Sequence, residues 1–399
     1  MSLEPDSFAW TDARETAWSA GREALAAGTA GWTASSAPLE QCLGLVLAEP
    51  ITAQLPVPHY ASSAMDGWVL AGTEPWQLKP PGSALAASEA APVVTGGLIP
   101  EGTVAVLRSE YGVVEQADGQ QQLRRAPGVP AEEPPAGRHI RPAGEEAAAG
   151  DTVVPAGTRL TPAHVAVAAV CGYDSLPVYR APAVGLLLTG DEVVTGGLPA
   201  PGQVRDTFGP TLPAIVAALG GQPSPPHRLP DDFEATREAI EGSKASVIVT
   251  TGGTGHSRAD HLRSALQAAG ARILVPSIRM RPGHPALLAQ LPGGRLVIGL
   301  PGNPLAAMMA LLTLGAPLLA GLTGRAMPEL GGVAAGSRFA PLEGRHRLVP
   351  YALDGHGAVP AEHVGSAMMR GLAAASGVVV IPPQGARPGE LVATLPLPW

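Results

Sequence analysis

Lysine is almost missing from this chain: among 399 residues only Lys79 and Lys244 occur. Any anionic ligand must therefore be held by arginine, histidine, backbone amides or a metal ion. Cysteine is equally scarce. Cys42 and Cys171 are too few for a disulfide scaffold, and no CxxC or Cys/His ligand spacing exists, which excludes a stapled secreted domain and a zinc module and suits a reducing, cytoplasmic compartment. Charged residues make up only 15% with a net charge of -8, so the broad cationic surface that nucleic acid or an anionic bilayer needs is lacking. A small molecule or a protein is the expected partner. Met1 to Trp10 lacks the basic start and apolar core of a signal peptide, and the apolar run Pro304 to Gly321 follows a strand and turn and reads as a buried helix. Neither a signal peptide nor a membrane span is expected.

Hydrophobic residues, at 45%, are ample for buried cores, and the length points to roughly two to three domains. Gly 50 and Pro 43 sit at turns between apolar runs rather than in repeats. The spacing of apolar residues in the string Pro38 to Ala53 predicts a short amphipathic helix that ends before Pro50. Short extended pieces (WVLAG, APVVTGG, VAVLRSE, GVVEQ) then run to about Arg141 and predict a β domain. TPAHVAVAAVC returns to helix, with Thr161 as N-cap and Pro162 at the first helical position. Between Pro182 and about Gly324 strands and helices alternate, which predicts a doubly wound α/β domain with parallel strands. Beyond Met327 the pieces RFAPL, HRLVPYAL, GVVVIPP and LVATLPL predict a small C-terminal β domain. The expected division is a helical and linker domain over 1–54 and 142–180, an inserted β domain over 55–141, an α/β ligand-binding domain over 181–325 and a β domain over 326–399.

Three strand ends in the α/β region carry polar glycine turns: Thr189-Gly190-Asp191-Glu192, Thr250-Thr251-Gly252-Gly253-Thr254-Gly255 and Pro301-Gly302-Asn303-Pro304. In an open parallel sheet the carboxyl ends of the strands line the ligand crevice, and glycine lets backbone amides approach an anion at a helix start. A nucleotide-like anion is the natural guest. None of the turns is GxGxxG or a Walker loop, so neither a dinucleotide enzyme nor a P-loop NTPase is supported. Glu192 and Asp260 both follow glycine turns on this edge. Singly each reads as a turn or cap residue, yet together they could hold a hard cation such as Mg2+, offsetting anionic charge that lysine is not there to meet.

Ser62-Ser63-Ala64-Met65-Asp66-Gly67 reads physically as a turn opening a strand. It also begins an ordered series of stations. SAMDG, VTGGLIPEGTVAVLRSE, HIRPAGEEAAAGDTVVPAGTRL, LLTGDEVV, RDTFGP, VIVTTGGTGHSRADHL, MRPGHP and GLPGNP resemble, in sequence order, the signatures of the molybdopterin molybdenumtransferases, the MoeA and gephyrin E-domain family. The resemblance runs from about Pro38 to the C-terminus. It implies an elongated homodimer whose active cleft lies between the α/β domain of one subunit and the β domain of the other. It also implies a transferase reaction in which molybdate and adenylylated molybdopterin, with a divalent cation, yield AMP and the molybdenum cofactor, and it makes a molybdopterin adenylyltransferase a candidate partner. Carried over residue by residue, it implies catalytic roles for Asp66, Glu192, Asp260 and Arg281, with Glu192 and Asp260 as the Mg2+ ligands. It implies substrate contacts for Ser63, Thr95, Thr189, Gly190, Asp191, Gly252, Gly253, Thr254, Gly255, His284, Pro301, Gly302 and Asn303.

The chain departs from the family pattern on the molybdate side. The family's KPGKP is Arg281-Pro282-Gly283-His284-Pro285, its DTN is Asp206-Thr207-Phe208, a serine after GLPGNP is Ala306, and an arginine aligns with Pro350. Arg281 keeps a permanent charge that grips an oxyanion bidentately, whereas His284 donates from both ring nitrogens only when protonated. These departures motivate a second reading, a carrier paralogue that binds molybdopterin or the finished cofactor without inserting metal. A scaffold role has no extended linker to support it.

Overall fold

The structure, a computed structural model, describes residues 7–28, 33–117, 119–254 and 261–399. Helix α1 (Trp10–Ala26) buries Trp10, Ala13, Arg14, Ala17, Ala20, Gly21 and Ala24, a single stripe at helical spacing. The sequence reading placed no element there. The expected helix over Pro38 to Ala53 does not form: Ser35–Pro38, Val46–Leu47 and Ile51–Thr52 are strands, and only Leu39–Gln41 makes a 3-10 turn. Gly44 at φ 77 breaks the helical path, and Ser35–Pro38 and Val46–Leu47 flank the strand Ser175–Tyr179. Helix α2 (Pro162–Val170) forms as expected. The Thr161 hydroxyl accepts the His164 N–H, and the His164 ring accepts the Thr161 N–H in return.

The 60s to 120s form a six-stranded sheet in the order Ala105–Arg108, Gly67–Ala71, Glu89–Val93, Trp76–Leu78, Gln120–Arg125, Gly112–Ala117. Successive residues face opposite sides: Val69 joins Ala91 and Val106, while Leu70 joins Trp76, Leu107 and Leu123. This β region thus carries two thin cores rather than one thick one.

The α/β sheet has parallel strands Ala183–Leu188, Val247–Thr251 and Leu296–Leu300 side by side. Helices α3 (Leu212–Ala218), α4 (Phe233–Gly242) and α5 (His261–Ala268) alternate with them. Beyond Leu296–Leu300 the sheet turns antiparallel through Leu287–Gln290 and Arg272–Val275, an edge the expected all-parallel sheet lacked. Helix α6 (Pro304–Ala310) continues through a π turn, Leu311–Gly315, into α7 (Ala316–Leu322), and the whole length is buried. It is long and apolar enough to cross a membrane, but it serves here as the central core helix. Pro317 has no N–H for the Thr313 carbonyl, which accounts for the local change of pitch. Leu186, Val249 and Ile298 face α1, α3, α6 and α7, whereas Leu187, Ile248 and Val297 face α4 and α5.

Helices α1 and α7 meet backbone to backbone. A Cβ on Gly21 would stand 2.4 Å from the Leu318 carbonyl oxygen, and one on Gly321 would stand 2.2 Å from that of Trp18. The Trp10 indole N–H donates to the Thr313 hydroxyl at 3.0 Å. Burial lowers the Arg14 pKa to about 10, and its guanidinium is held by the Leu312 and Pro328 carbonyls. The C-terminal sheet is built from His346–Asp354, Gly377–Ile381, Leu391–Leu395 and Gly331–Ala334, with Gly357–Pro360 at the side. RFAPL, expected as a strand, contributes only the bridge Phe339 to Ala386, because Pro341 ends its pairing.

Candidate functional site

Two clusters hold the residues singled out from sequence. The first lies at the carboxyl ends of the three parallel strands. Thr189 donates both its N–H (3.3 Å) and its hydroxyl (2.7 Å) to the Thr251 carbonyl, and the Gly252 N–H donates to the Leu300 carbonyl at 2.9 Å. Gly252 has φ 82, and a Cβ there would lie 2.6 Å from Thr189 Oγ1 and so could not be accommodated. A Cβ on Gly302 would rest 3.8 Å from Gly252 Cα, so the three turns sit against one another on one edge. Asn303 is the N-cap residue of α6, with Pro304 at the first helical position. The hydroxyls of buried Thr250 and Thr251 have no hydrogen-bond partner among the described residues. Thr254 is buried next to them, whereas Gly255 and Asp260 lie outside the described residues.

Acidic groups surround this edge. The Asp231 carboxylate accepts the Gly190 and Asp191 amides at 3.0 and 3.2 Å, and the Asp191 carboxylate accepts the Asp231 amide at 3.3 Å. Glu192 is exposed, and its Oε2 would lie 3.1 Å from a Cβ on Gly190, so the carboxylate folds back over that turn. Asp206 braces the segment behind Glu192: it accepts the Phe208 and Gly209 amides and pairs with Arg228 at 2.8 Å. Burial works against its charge, but the Gly209 amide and Arg228 outweigh burial and hold its pKa below the usual carboxylate value. Asp231 escaped the sequence reading, since nothing in a lone Pro-Asp-Asp reveals that its carboxylate meets amides 40 residues away.

The Arg281 to Pro285 turn reaches the same end of the sheet. A Cβ on Gly283 would lie 3.1 Å from the Ala306 carbonyl, which places the turn against the first turn of α6. Arg281 is exposed, and Met280–Arg281 pairs with His346–Arg347 of the C-terminal sheet. His284 lies in the same turn. Its Nδ1 faces the Ile278 carbonyl at 2.7 Å, leaving at most Nε2 for a ligand. Ser366, unmarked in the sequence reading, accepts from the Asn303 amide side chain (3.3 Å) and takes the Ala306 N–H on its carbonyl. The C-terminal domain therefore touches the start of α6.

The second cluster lies in the β region. Asp66 is exposed, and its Oδ1 accepts the Thr95 N–H at 2.7 Å and the Thr95 hydroxyl at 3.0 Å. The Thr95 amide, then its hydroxyl, keep the Asp66 carboxyl below its ordinary pKa. Ser63 is buried; its hydroxyl donates to the Met65 carbonyl at 2.6 Å, and its N–H donates to the Gly97 carbonyl. Gly67 is obligatory, because a Cβ there would fall 1.9 Å from the Leu107 carbonyl. Among the described residues no hydrogen bond or ion pair joins Ser63, Asp66 or Thr95 to the strand-end turns.

Glycine-lined strand ends, a helix start and an ionised carboxylate on a separate β module are the parts of a multidomain enzyme that handles an anionic small molecule. Family models agree: the MoeA N-terminal region (domain I and II) matches residues 15–172, a probable molybdopterin binding domain matches 185–321, and the MoeA C-terminal region (domain IV) matches 333–397. The chain is 31% identical over 303 residues to a molybdopterin molybdenumtransferase of Haemophilus influenzae, covering 72% of each chain. It is 30% identical over 315 residues to the same enzyme of Nostoc, covering 73% of this chain and 68% of that one. In structure it is similar to the molybdopterin biosynthesis MoeA protein of Pyrococcus horikosii, with TM-score 0.76, 27% identity and coverage of 98% and 99%. The chain belongs to the molybdopterin molybdenumtransferase (MoeA) family, a family of transferase enzymes of molybdenum-cofactor biosynthesis. Relatives carrying an enzyme name favour catalysis over the carrier reading.

Proposed function

We propose that this chain transfers molybdenum from molybdate to adenylylated molybdopterin with release of AMP. The observation that carries this reading is the meeting, on one sheet edge, of three glycine-lined strand ends with the start of α6 and the Arg281 turn. Two anions must be brought together, and the edge supplies the start of α6 for one and the Arg281 guanidinium for the other. The nucleotide part of the substrate lies along Thr189 to Asp191 and Gly252 to Thr254, where glycine keeps the backbone close to its phosphates. Arg281 takes molybdate.

The oxygen-rich donors at this edge fit a hard divalent cation: Glu192 has its carboxylate in solvent, and the Thr250 and Thr251 hydroxyls meet no partner among the described residues. Glu192 and Asp260 would hold Mg2+, which when bound offsets the charge that repels the two anions. Asp66, kept ionised by Thr95, faces the substrate from the second half-site. With each cluster contributing half of the site, the cleft closes between two subunits of a homodimer, as the resemblance to the family implies. A cytoplasmic place of action, and an adenylyltransferase that delivers the substrate, belong to the same reading.

The test is AMP release by the purified chain from adenylylated molybdopterin, with molybdate and Mg2+ varied separately. Molybdate-stimulated, Mg2+-dependent AMP release is expected, and replacing Asp260 by Asn should raise the Mg2+ requirement. A parent protein that binds the substrate yet releases no more AMP with molybdate than without it would overturn the transferase reading and leave a carrier.

A further inference from the structure

At the opposite edge of the α/β sheet, where the parallel strands begin, a cavity of about 80 Å³ opens between α3, the segment after α7 and the strand Ser175–Tyr179. That is more than twice the roughly 30 Å³ share of a single water. Two guanidiniums line it. Arg325 enters from the α/β side: its Nε–H donates to the Thr323 hydroxyl at 3.1 Å, and Nη2 donates to the Leu219 carbonyl at 2.9 Å, closing the carboxyl end of α3. Arg159 enters from the strand-rich base, with Nε donating to the Gly44 carbonyl at 3.3 Å. Those bonds leave both terminal nitrogens of Arg159 and Nη1 of Arg325 without a hydrogen bond among the described residues, and neither arginine forms an ion pair there. Tyr179 lines the same cavity, and its hydroxyl likewise bonds to no described residue.

Arg325 is largely withdrawn from water, and its pKa is lowered first by burial and then by the Arg159 charge. Arg325 is the largely buried member and Arg159 the exposed one, and among the described residues no acid lines the cavity to meet either charge. Such an arrangement is costly unless an anion completes it, and the planar fork of arginine matches the oxygens of a tetrahedral oxyanion. We propose that this cavity is a second anion site, separate from the strand-end crevice, in which Arg159, Arg325 and Tyr179 grip a phosphate-like group. The group is either a free inorganic oxyanion or the monoester end of a larger molecule. Since Arg159 and Arg325 come from different parts of the fold, the bound anion ties the base to the α/β domain.

The experiment uses the full chain with orthophosphate and, in a separate arm, AMP, followed by calorimetric titration and by the thermal midpoint. The crevice also binds anions, so Arg281→Ala removes its oxyanion contact, and comparison of the parent with Arg159→Gln separates AMP held by the strand-end turns from AMP held by the cavity. Arg159 stands at the rim, and Arg159→Gln should fold normally, weaken phosphate binding about tenfold or more, and abolish the phosphate-induced rise in midpoint, while AMP release in phosphate-free buffer stays at the parental rate. Tyr179→Phe should weaken binding less. A fall in phosphate affinity but not in AMP affinity in Arg159→Gln assigns a free oxyanion, and a fall in both in Arg159→Gln assigns a monoester. Phosphate affinity equal in the parent and Arg159→Gln, affinity lost only in Arg281→Ala, or no phosphate binding by the parent would each overturn the proposal. Apart from the AMP-release control, none of these outcomes depends on whether the chain transfers molybdenum.

Discussion

The two half-sites are built by different means. At the strand ends the work is done by backbone: amides, carbonyls and glycines at φ values that other residues avoid, fixed by three neighbouring strands on a thick core. In the β region a single carboxylate, Asp66, is set by two bonds from one threonine on a sheet with thin cores. A backbone site tolerates almost no added side chain, while a side-chain site tolerates changes in shape but not the loss of its one charge. The contrast suggests that the first half-site defines which ligand is held and the second contributes a charge at the right place.

The largest effect expected is at Gly252. Gly252→Val forces a Cβ toward Thr189 Oγ1 and a left-handed φ on a branched residue, and should lower AMP release about a hundredfold with the circular dichroism spectrum unchanged. A sharper form mixes that variant with Asp66→Asn. Each alone should be nearly inactive, whereas co-refolded heterodimers with one intact cleft should recover about a quarter of the parental rate. No recovery on mixing would place both half-sites within one subunit. Arg281→Ala comes next: losing the only permanent cation of its turn should raise the molybdate concentration for half-maximal AMP release about tenfold, with little change in substrate affinity.

The smallest effect is at Thr95. Thr95→Val keeps the amide donor to Asp66 and removes the hydroxyl donor. Because the Asp66 pKa is depressed, its carboxylate stays ionised until pH falls through that lowered value. Removing a donor should move the pKa upward, and with it the acid limb of the rate profile. Carbon NMR titration of the Asp66 carboxyl checks the direction, and an unchanged titration would remove Thr95 from the second half-site.

The strand-end half-site was legible in the sequence because apolar runs ending in glycine turns are a local signal, and parallel packing then brings their ends together. The segment Pro38 to Ala53 misled because Leu43, Leu45, Leu47 and Ile51 suit a helical stripe as well as short strands, and Gly44 with its sheet neighbours decided the matter. Helix α1 was missed since its buried stripe is mostly alanine, a weak apolar signal until α7 is seen against it. The same limit hid Asp231 and Ser366, whose partners lie 40 and 63 residues away along the chain. Gly67 shows the reverse case: the Asp-Gly pair was read as a turn signal, and the structure adds that the Leu107 carbonyl forbids any side chain there.

The contact between Gly21 and Gly321 also has a meaning in time. Helix α1 leaves the ribosome early, but its docking surface is not made until some 300 residues later, which at typical synthesis rates is on the order of 15 to 60 s. Alone, an amphipathic segment of 17 residues is at the margin of helical stability, so it must wait as a loosely formed, partly apolar strand of nascent chain. Seating it closes the core that surrounds α7, so a helix made well before its partner is among the last to be put in place.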